Sequence, residues 1–203
     1  EVTGEIAVYG TLGFYYRGSC ATMLVAAPTA SVVVQCLLEK ASTEVTIVRG
    51  TVTLSGTQAL VLGIGHQLGQ SDALVTIAAG FGTLTGSQWG GQCTINQEPD
   101  AWNHYGGMCE QLAGDVPAAL ALTGGTYTYS SSPAGGALGI DADGGIFDAS
   151  PSDGPFSVNA ASVVYAGARM NFANGSGSIT GKARYLGLGP TFDPGTVVEL
   201  NPA

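Results

Sequence analysis

Short runs of β-branched and apolar residues, cut every few positions by glycine, extend along the whole chain. They leave few folds other than β-structure open. Glycine occupies 32 of the 203 positions. Each glycine inside a helix costs about 1 kcal/mol relative to alanine, and Val, Ile and Thr pack best on a pleated surface. In "TEVTIVRG", Val45 and Ile47 fall on one face and Thr46 and Val48 on the other; "TVTLSG" puts Val52 and Leu54 on a common face after a change of phase at Gly50. That alternation is the period of a strand, broken by a turn or bulge. "QALVLGIG" and "ALVTIAAGFGTLTG" are more evenly apolar and read as strands buried on both faces. Helix signals are sparse: "CEQLAGDVPAALAL" is interrupted by Gly114 and Pro117, and "TASVVVQCLLEK" is mixed.

The clearest local pattern lies near the end of the chain. Residues Ser162 to Phe172 and Ser178 to Leu186 alternate with period two on either side of "ANGSG". Asn174–Gly175 supplies positive-φ geometry, so a β-hairpin is expected there. "VTGEIAVYGTLG", "TLSGTQALVLGIG" and "ITGKARYLGLG" echo one another: an apolar entry, a glycine, then an apolar strand ending in spaced glycines. Their unequal intervals argue against a solenoid or propeller. The expected fold is all-β, a single glycine-rich antiparallel β-sandwich or β-barrel over residues 1–203 with at most one or two short helices. Two small β subdomains divided near residues 66–80 are the alternative.

Cys20 and Cys36 are sixteen positions apart, as are Cys93 and Cys109, and neither pair has the spacing of a metal motif. Two local disulfides, Cys20–Cys36 and Cys93–Cys109, are expected, each contributing about 3 kcal/mol and implying an oxidising compartment. The opening "EVTGEIAVYG" suits a chain whose leader has been removed. No apolar run is long enough for a transmembrane helix. Localisation is therefore expected to be secreted, or on a cell or virion surface.

Charge sets the function classes. Only 10% of residues are charged, the formal net charge is −9, and no lysine or arginine occurs from Thr51 to Ala168. A nucleic-acid surface needs clustered cations, so nucleic acid is excluded as a partner. So little charge, well below the quarter usual in globular domains, suits surfaces covered by neighbouring subunits. The leading expectation is a non-enzymatic extracellular structural protein. It would self-assemble as a homo-oligomer through apolar or edge-strand interfaces into a surface layer, filament, pore or capsid.

Local chemistry supplies the alternatives. Trp89, Trp102, Asn103 and Tyr105, with Glu98 and Asp100, have the composition of a lectin-like loop, where aromatic faces stack on a glycan and amides bond its hydroxyls. Third comes a glycoside hydrolase built on Glu98, Asp100 and Glu110, if two of them face each other across a cleft. His66 and His104 invite Ser-His-Asp triads, but no ordered nucleophile motif accompanies them. Asp141, Asp143 and Asp148 make the one weak calcium candidate, without EF-hand spacing; no other cofactor is expected. Asn174-Gly175-Ser176 is a glycosylation sequon.

Overall fold

The structure is a computed structural model. It describes the backbone at all positions except 1, 9–10, 15–19, 26–30, 35–41, 58, 66–70, 133, 150, 153–155, 159–161, 165–167, 173–176, 181–183, 186–190, 193–197 and 202–203. Side chains are described between 45 and 152 within those limits, and at Ser162, Ala168 and Met170.

The first strands are β1 (Val2–Val8), β2 (Thr11–Phe14), β3 (Cys20–Val25), β4 (Ser31–Val34), β5 (Ser42–Ile47) and β6 (Thr51–Leu54). The middle of the chain forms β7 (Ala59–Ile64), β8 (Leu74–Ile77), β9 (Thr83–Gln88), β10 (Gln92–Ile95), β11 (Ala101–His104) and β12 (Met108–Gln111). Then come β13 (Leu120–Leu122), β14 (Thr126–Tyr129), β15 (Ala137–Leu138), β16 (Ile140–Ala142), β17 (Gly145–Ala149) and β18 (Phe156–Val158). The last six are β19 (Val163–Val164), β20 (Ala168–Phe172), β21 (Gly177–Thr180), β22 (Arg184–Tyr185), β23 (Thr191–Phe192) and β24 (Val198–Asn201).

Strands alternate between two ten-stranded sheets. Sheet A runs β1-β3-β5-β7-β9-β11-β13-β16-β19-β22, and sheet B runs β2-β4-β6-β8-β10-β12-β14-β17-β20-β23. A smaller sheet C, β15-β18-β21-β24, opens a third side. The ladders that join them are all parallel, as in the run β8–β10–β12–β14. The chain is a β-solenoid: each coil lays one strand on each sheet and stacks on the coil before it. This overturns the expected antiparallel sandwich or barrel, and no helix occurs among the described residues. The alternation of inward and outward residues is the same in parallel and antiparallel strands, so period two alone carries no information about direction.

The expected hairpin fails for the same reason. β20 pairs with β17 and β23 in sheet B, whereas β21 pairs with β18 and β24 in sheet C. Its proposed Asn174–Gly175 turn lies outside the described residues. The unequal repeat intervals were misleading too. Aligned partners such as Thr85 and Ala101, Leu120 and Ile140, or Ala59 and Thr83 keep strict register while the corners between them vary in length. The three echoing segments carry β1, β7 and β22, all strands of sheet A. Around residues 66–80 the ladders continue, β7 pairing with β9 and β6 with β8.

One corner follows a rule. Trp89-Gly-Gly-Gln92, Tyr105-Gly-Gly-Met108, Thr123-Gly-Gly-Thr126 and Asp143-Gly-Gly-Ile146 each turn the chain from sheet A into sheet B. The second glycine of each pair, at 91, 107, 125 and 145, has φ between 73° and 83°, a region costly for any residue with a Cβ. Backbone bonds run from coil to coil through this corner, Met108 N–H donating to Gly91 O and Thr126 N–H to Gly107 O.

The interior is a stack of aligned side chains. Ile47, Ile64, Gln88, His104, Leu122 and Ala142 form one row, and Val52, Val75, Cys93, Cys109, Tyr127 and Phe147 another; all are buried. Parallel in-register strands about 4.8 Å apart bring like positions into contact, as Tyr127 and Phe147 show with rings stacked at 6.1 Å. The strands expected to be buried on both faces are buried on one: Val61 and Leu74 point outward and are 41% and 47% exposed.

Candidate functional site

The expected Cys93–Cys109 disulfide is absent. Both cysteines are free and buried, and they are direct register partners on β10 and β12. Their sixteen-residue spacing is the length of one coil, not of a cross-linked loop. The two thiols contact each other, and burial pushes the Cys109 thiol well up. The Cys20–Cys36 pairing involves Cys36, which lies outside the described residues, as do His66 and Asn174.

The six residues of the lectin-like candidate are distributed by strand alternation and corner geometry. Trp102 is fully buried, its ring lying where a methyl on Gly86 of the preceding coil would collide. It therefore reaches no ligand. Asn103, next along β11, faces outward and donates from Nδ2 to Ser87 Oγ at 3.3 Å. Two residues on, Tyr105 occupies the glycine corner and stacks on Trp89 of the coil before, with ring centroids 5.4 Å apart and an interplanar angle of 11°. Trp89 also touches the outer side of β7, 3.8 Å from where a Cβ on Gly63 would stand. Glu98 and Asp100 are at the other end of β11, where the chain enters sheet A.

Those two acids belong to a different cluster. Asp100 Oδ2 accepts Leu84 N–H at 2.8 Å. Asp115 Oδ1 accepts Val116 and Ala134 N–H, and its Oδ2 accepts Gly136 N–H at 2.6 Å. Both carboxylates are thus committed to holding backbone. Glu98 beside them has its pKa raised, first by desolvation and then by the charges of Asp115 and Asp100, with a backbone hydrogen bond from Asp115 opposing. Glu110 lies elsewhere, outward on sheet B, accepting Ser130 Oγ–H at 3.1 Å. The carboxylates named for glycoside hydrolysis do not line a common cleft with Trp102.

His104 is fully buried and neither ring nitrogen has a hydrogen-bond partner. Its ring meets Tyr127 edge-on at 6.1 Å. Desolvation lowers its pKa to about 4; the Gly107 backbone nearby, which forms no hydrogen bond of ordinary geometry with the ring, offsets part of that. No carboxylate orients it, as a triad would require. Asp141 points outward from sheet A, Asp143 sits at the glycine corner and Asp148 lies on β17 of sheet B, so the acidic segment is split around a corner. No group of three metal-ligating side chains occurs among the described residues.

What the fold does assemble is a groove on the outside of sheet A. Ala101 and Asn103 of β11, Ala118 to Ala121, and Gly139 to Asp141 line about 300 Å³ of open space, with buried Ser162 beneath. The Ser162 hydroxyl is fully used, accepting Ile140 N–H and donating to Leu138 O. Neither the groove nor the glycine-corner rows were read from the sequence. The signal was there in the four Gly-Gly pairs at 90–91, 106–107, 124–125 and 144–145, whose spacing marks successive coils. Compared with protein-family models, curated proteins and solved structures, the chain matches none.

Proposed function

We propose that the chain is a non-enzymatic structural element, secreted or held on a cell or virion surface, that assembles with further copies of itself. The observation that supports this most is the character of the outer sheet faces. On sheet B, Thr53, Thr76, Thr94, Glu110 and Thr128 stand in one row from coil to coil. On sheet A the outward residues include Val61, Thr85, Ser87, Ala101, Asn103, Ala121 and Asp141. Short side chains in register, with the exposed apolar Val61, Leu74 and Met108 among them, make weakly charged faces that cost little to desolvate against a like surface. The solenoid supplies stiffness, since nine inter-strand steps of about 4.8 Å make each long sheet roughly 43 Å. No helix among the described residues is long and apolar enough to cross a membrane, and none is needed in this reading.

Light scattering on the native protein, with electron microscopy of the same sample, tests the proposal. Regular particles, fibres or a defined oligomer are expected. A monomer of 20.4 kDa at all concentrations would overturn it.

A further inference from the structure

Sheet A is hollowed by the groove, whereas sheet B carries the exposed apolar side chains of Leu74 and Met108, with Leu112 one residue past β12. We infer, resting on the reading that the chain assembles, that two copies meet face to face through sheet B. Their two-fold axis runs along β10, and their solenoid axes are antiparallel.

Strand alternation fixes what a second copy meets. One outward rank of sheet B runs Thr51, Leu74, Gln92, Met108 and Thr126, and the next Thr53, Thr76, Thr94, Glu110 and Thr128. A third begins one residue past the strands. There Ala78 N–H donates to Leu54 O, Asn96 N–H to Ile77 O and Leu112 N–H to Ile95 O, so the ladder continues. Leu74 and Met108, 47% and 54% exposed, stand two coils apart with Gln92 between them. A two-fold along β10 exchanges β8 with β12 and β6 with β14, and keeps each residue's position along its strand. Leu74 then lies on Met108 of the other copy and Leu112 over Ala78, while Gln92 and Thr94 meet their own counterparts. Thr51 and Thr53 face Thr126 and Thr128. Moving the axis by half a coil step puts Met108 on Gln92 or on Thr51, and moving it to β12 sets Glu110 on Glu110.

Glu110 also decides the orientation. On this axis its carboxylate meets Thr76, whose hydroxyl can donate to it, and it keeps the hydrogen bond from Ser130 Oγ–H of its own chain. A two-fold along the solenoid instead sets each coil on its own copy with the strands reversed. Glu110 then lies on Met108, a carboxylate desolvated against an apolar chain with no group to pair it. In the antiparallel arrangement the copies overlap over nine of the ten strands of sheet B. With four-residue strands the shared face is about 40 Å by about 13 Å, which buries about 1,000 Å² counting both copies. That is the lower bound of a specific interface, so micromolar association is expected.

Sedimentation velocity over a concentration series tests the arrangement, with thermal melting to confirm that each variant folds. Thr76→Lys puts an ammonium on Glu110 of the other copy, twice per pair of chains, and should lower the midpoint of association about tenfold. Thr76→Glu sets like charges together and should raise it about tenfold. Adding Glu110→Lys to Thr76→Glu should return it to the wild-type value. Within one chain Thr76 and Glu110 are two strand steps apart, about 9.6 Å, so a response that follows the sign of the charge reports the contact between copies. Thr53→Lys with Thr128→Glu repeats the test: the two are roughly 19 Å apart in one chain but opposed across the interface, and should tighten association. If the wild type associates and these midpoints do not move, or Thr76→Lys and Thr76→Glu weaken it equally, the sheet B arrangement is overturned while assembly stands. A wild type that is monomeric at every concentration overturns both.

Discussion

Lowering the pH from 7.5 to 5 should strip stability from this chain through one side chain, His104. In the folded state its imidazole is buried without a hydrogen-bond partner, and its pKa falls to about 4 from an ordinary 6.5. The sign follows from linkage. A histidine whose folded pKa is depressed contributes its full stability above the unfolded pKa, and loses it as pH falls from about 6.5 toward about 4. Each pKa unit is worth about 1.4 kcal/mol, so the limiting loss is about 3 kcal/mol, of which about 2 kcal/mol is gone by pH 5.

Glu98 titrates in the opposite sense. Its folded pKa is raised, so its contribution is lost as pH rises, and a bare pH profile would mix the two groups. The difference between wild type and His104→Leu removes Glu98 and His66 together. Leucine suits the position, since Leu122 is the register partner of His104 on the next coil. Urea unfolding of both proteins at pH 7.5, 6 and 5 should show the wild type losing about 2 kcal/mol more than the variant by pH 5. Parallel pH profiles would refute the burial argument.

Two further outcomes follow from the fold. Gly107→Ala should cost about 2–3 kcal/mol in chemical unfolding, because the residue has a φ of 83° and a Cβ there would run into the backbone of Gly90 and Gly91; a loss below 0.5 kcal/mol, the usual range for an unremarkable surface site, would count against the corner geometry. Alkylation in denaturant without reductant, read by peptide mass spectrometry, should modify both Cys93 and Cys109, whereas a linked pair of peptides would contradict the free thiols.

The inward faces of the strands were legible residue by residue. Val45, Ile47, Val52 and Leu54 are all in the core, as their alternation implies. Strand direction was not legible, because it depends on which strand lies next door, and nothing within "ARMNF" or "GSIT" records that. Cys93 and Cys109 carried the missing information in a form that reads two ways: a sixteen-residue interval is a loop if the sulfurs bond and a coil if the strands stack. The Gly-Gly pairs at 90–91, 106–107, 124–125 and 144–145 decide for the coil, since each of the four precedes an inward residue of sheet B, namely Cys93, Cys109, Tyr127 and Phe147. Composition picked out Trp89, Asn103, Tyr105 and Trp102 as one candidate set; the first three lie on the outside of the coils, whereas Trp102, grouped with them in error, is buried. Strand parity explains the error: Trp102 and Asn103 are adjacent, so if one faces solvent the other faces the core. Glycine at position 86, small enough to receive the indole, was the clue that Trp102 is the inward one.

The parallel solenoid itself is tested most directly by backbone NOEs in isotope-labelled protein. The fold predicts a parallel pattern joining Val75 to Cys93, Cys93 to Cys109 and Cys109 to Tyr127, with no short Hα–Hα contacts between β20 and β21. Strong Hα–Hα contacts between those two strands, the mark of antiparallel pairs, would contradict it.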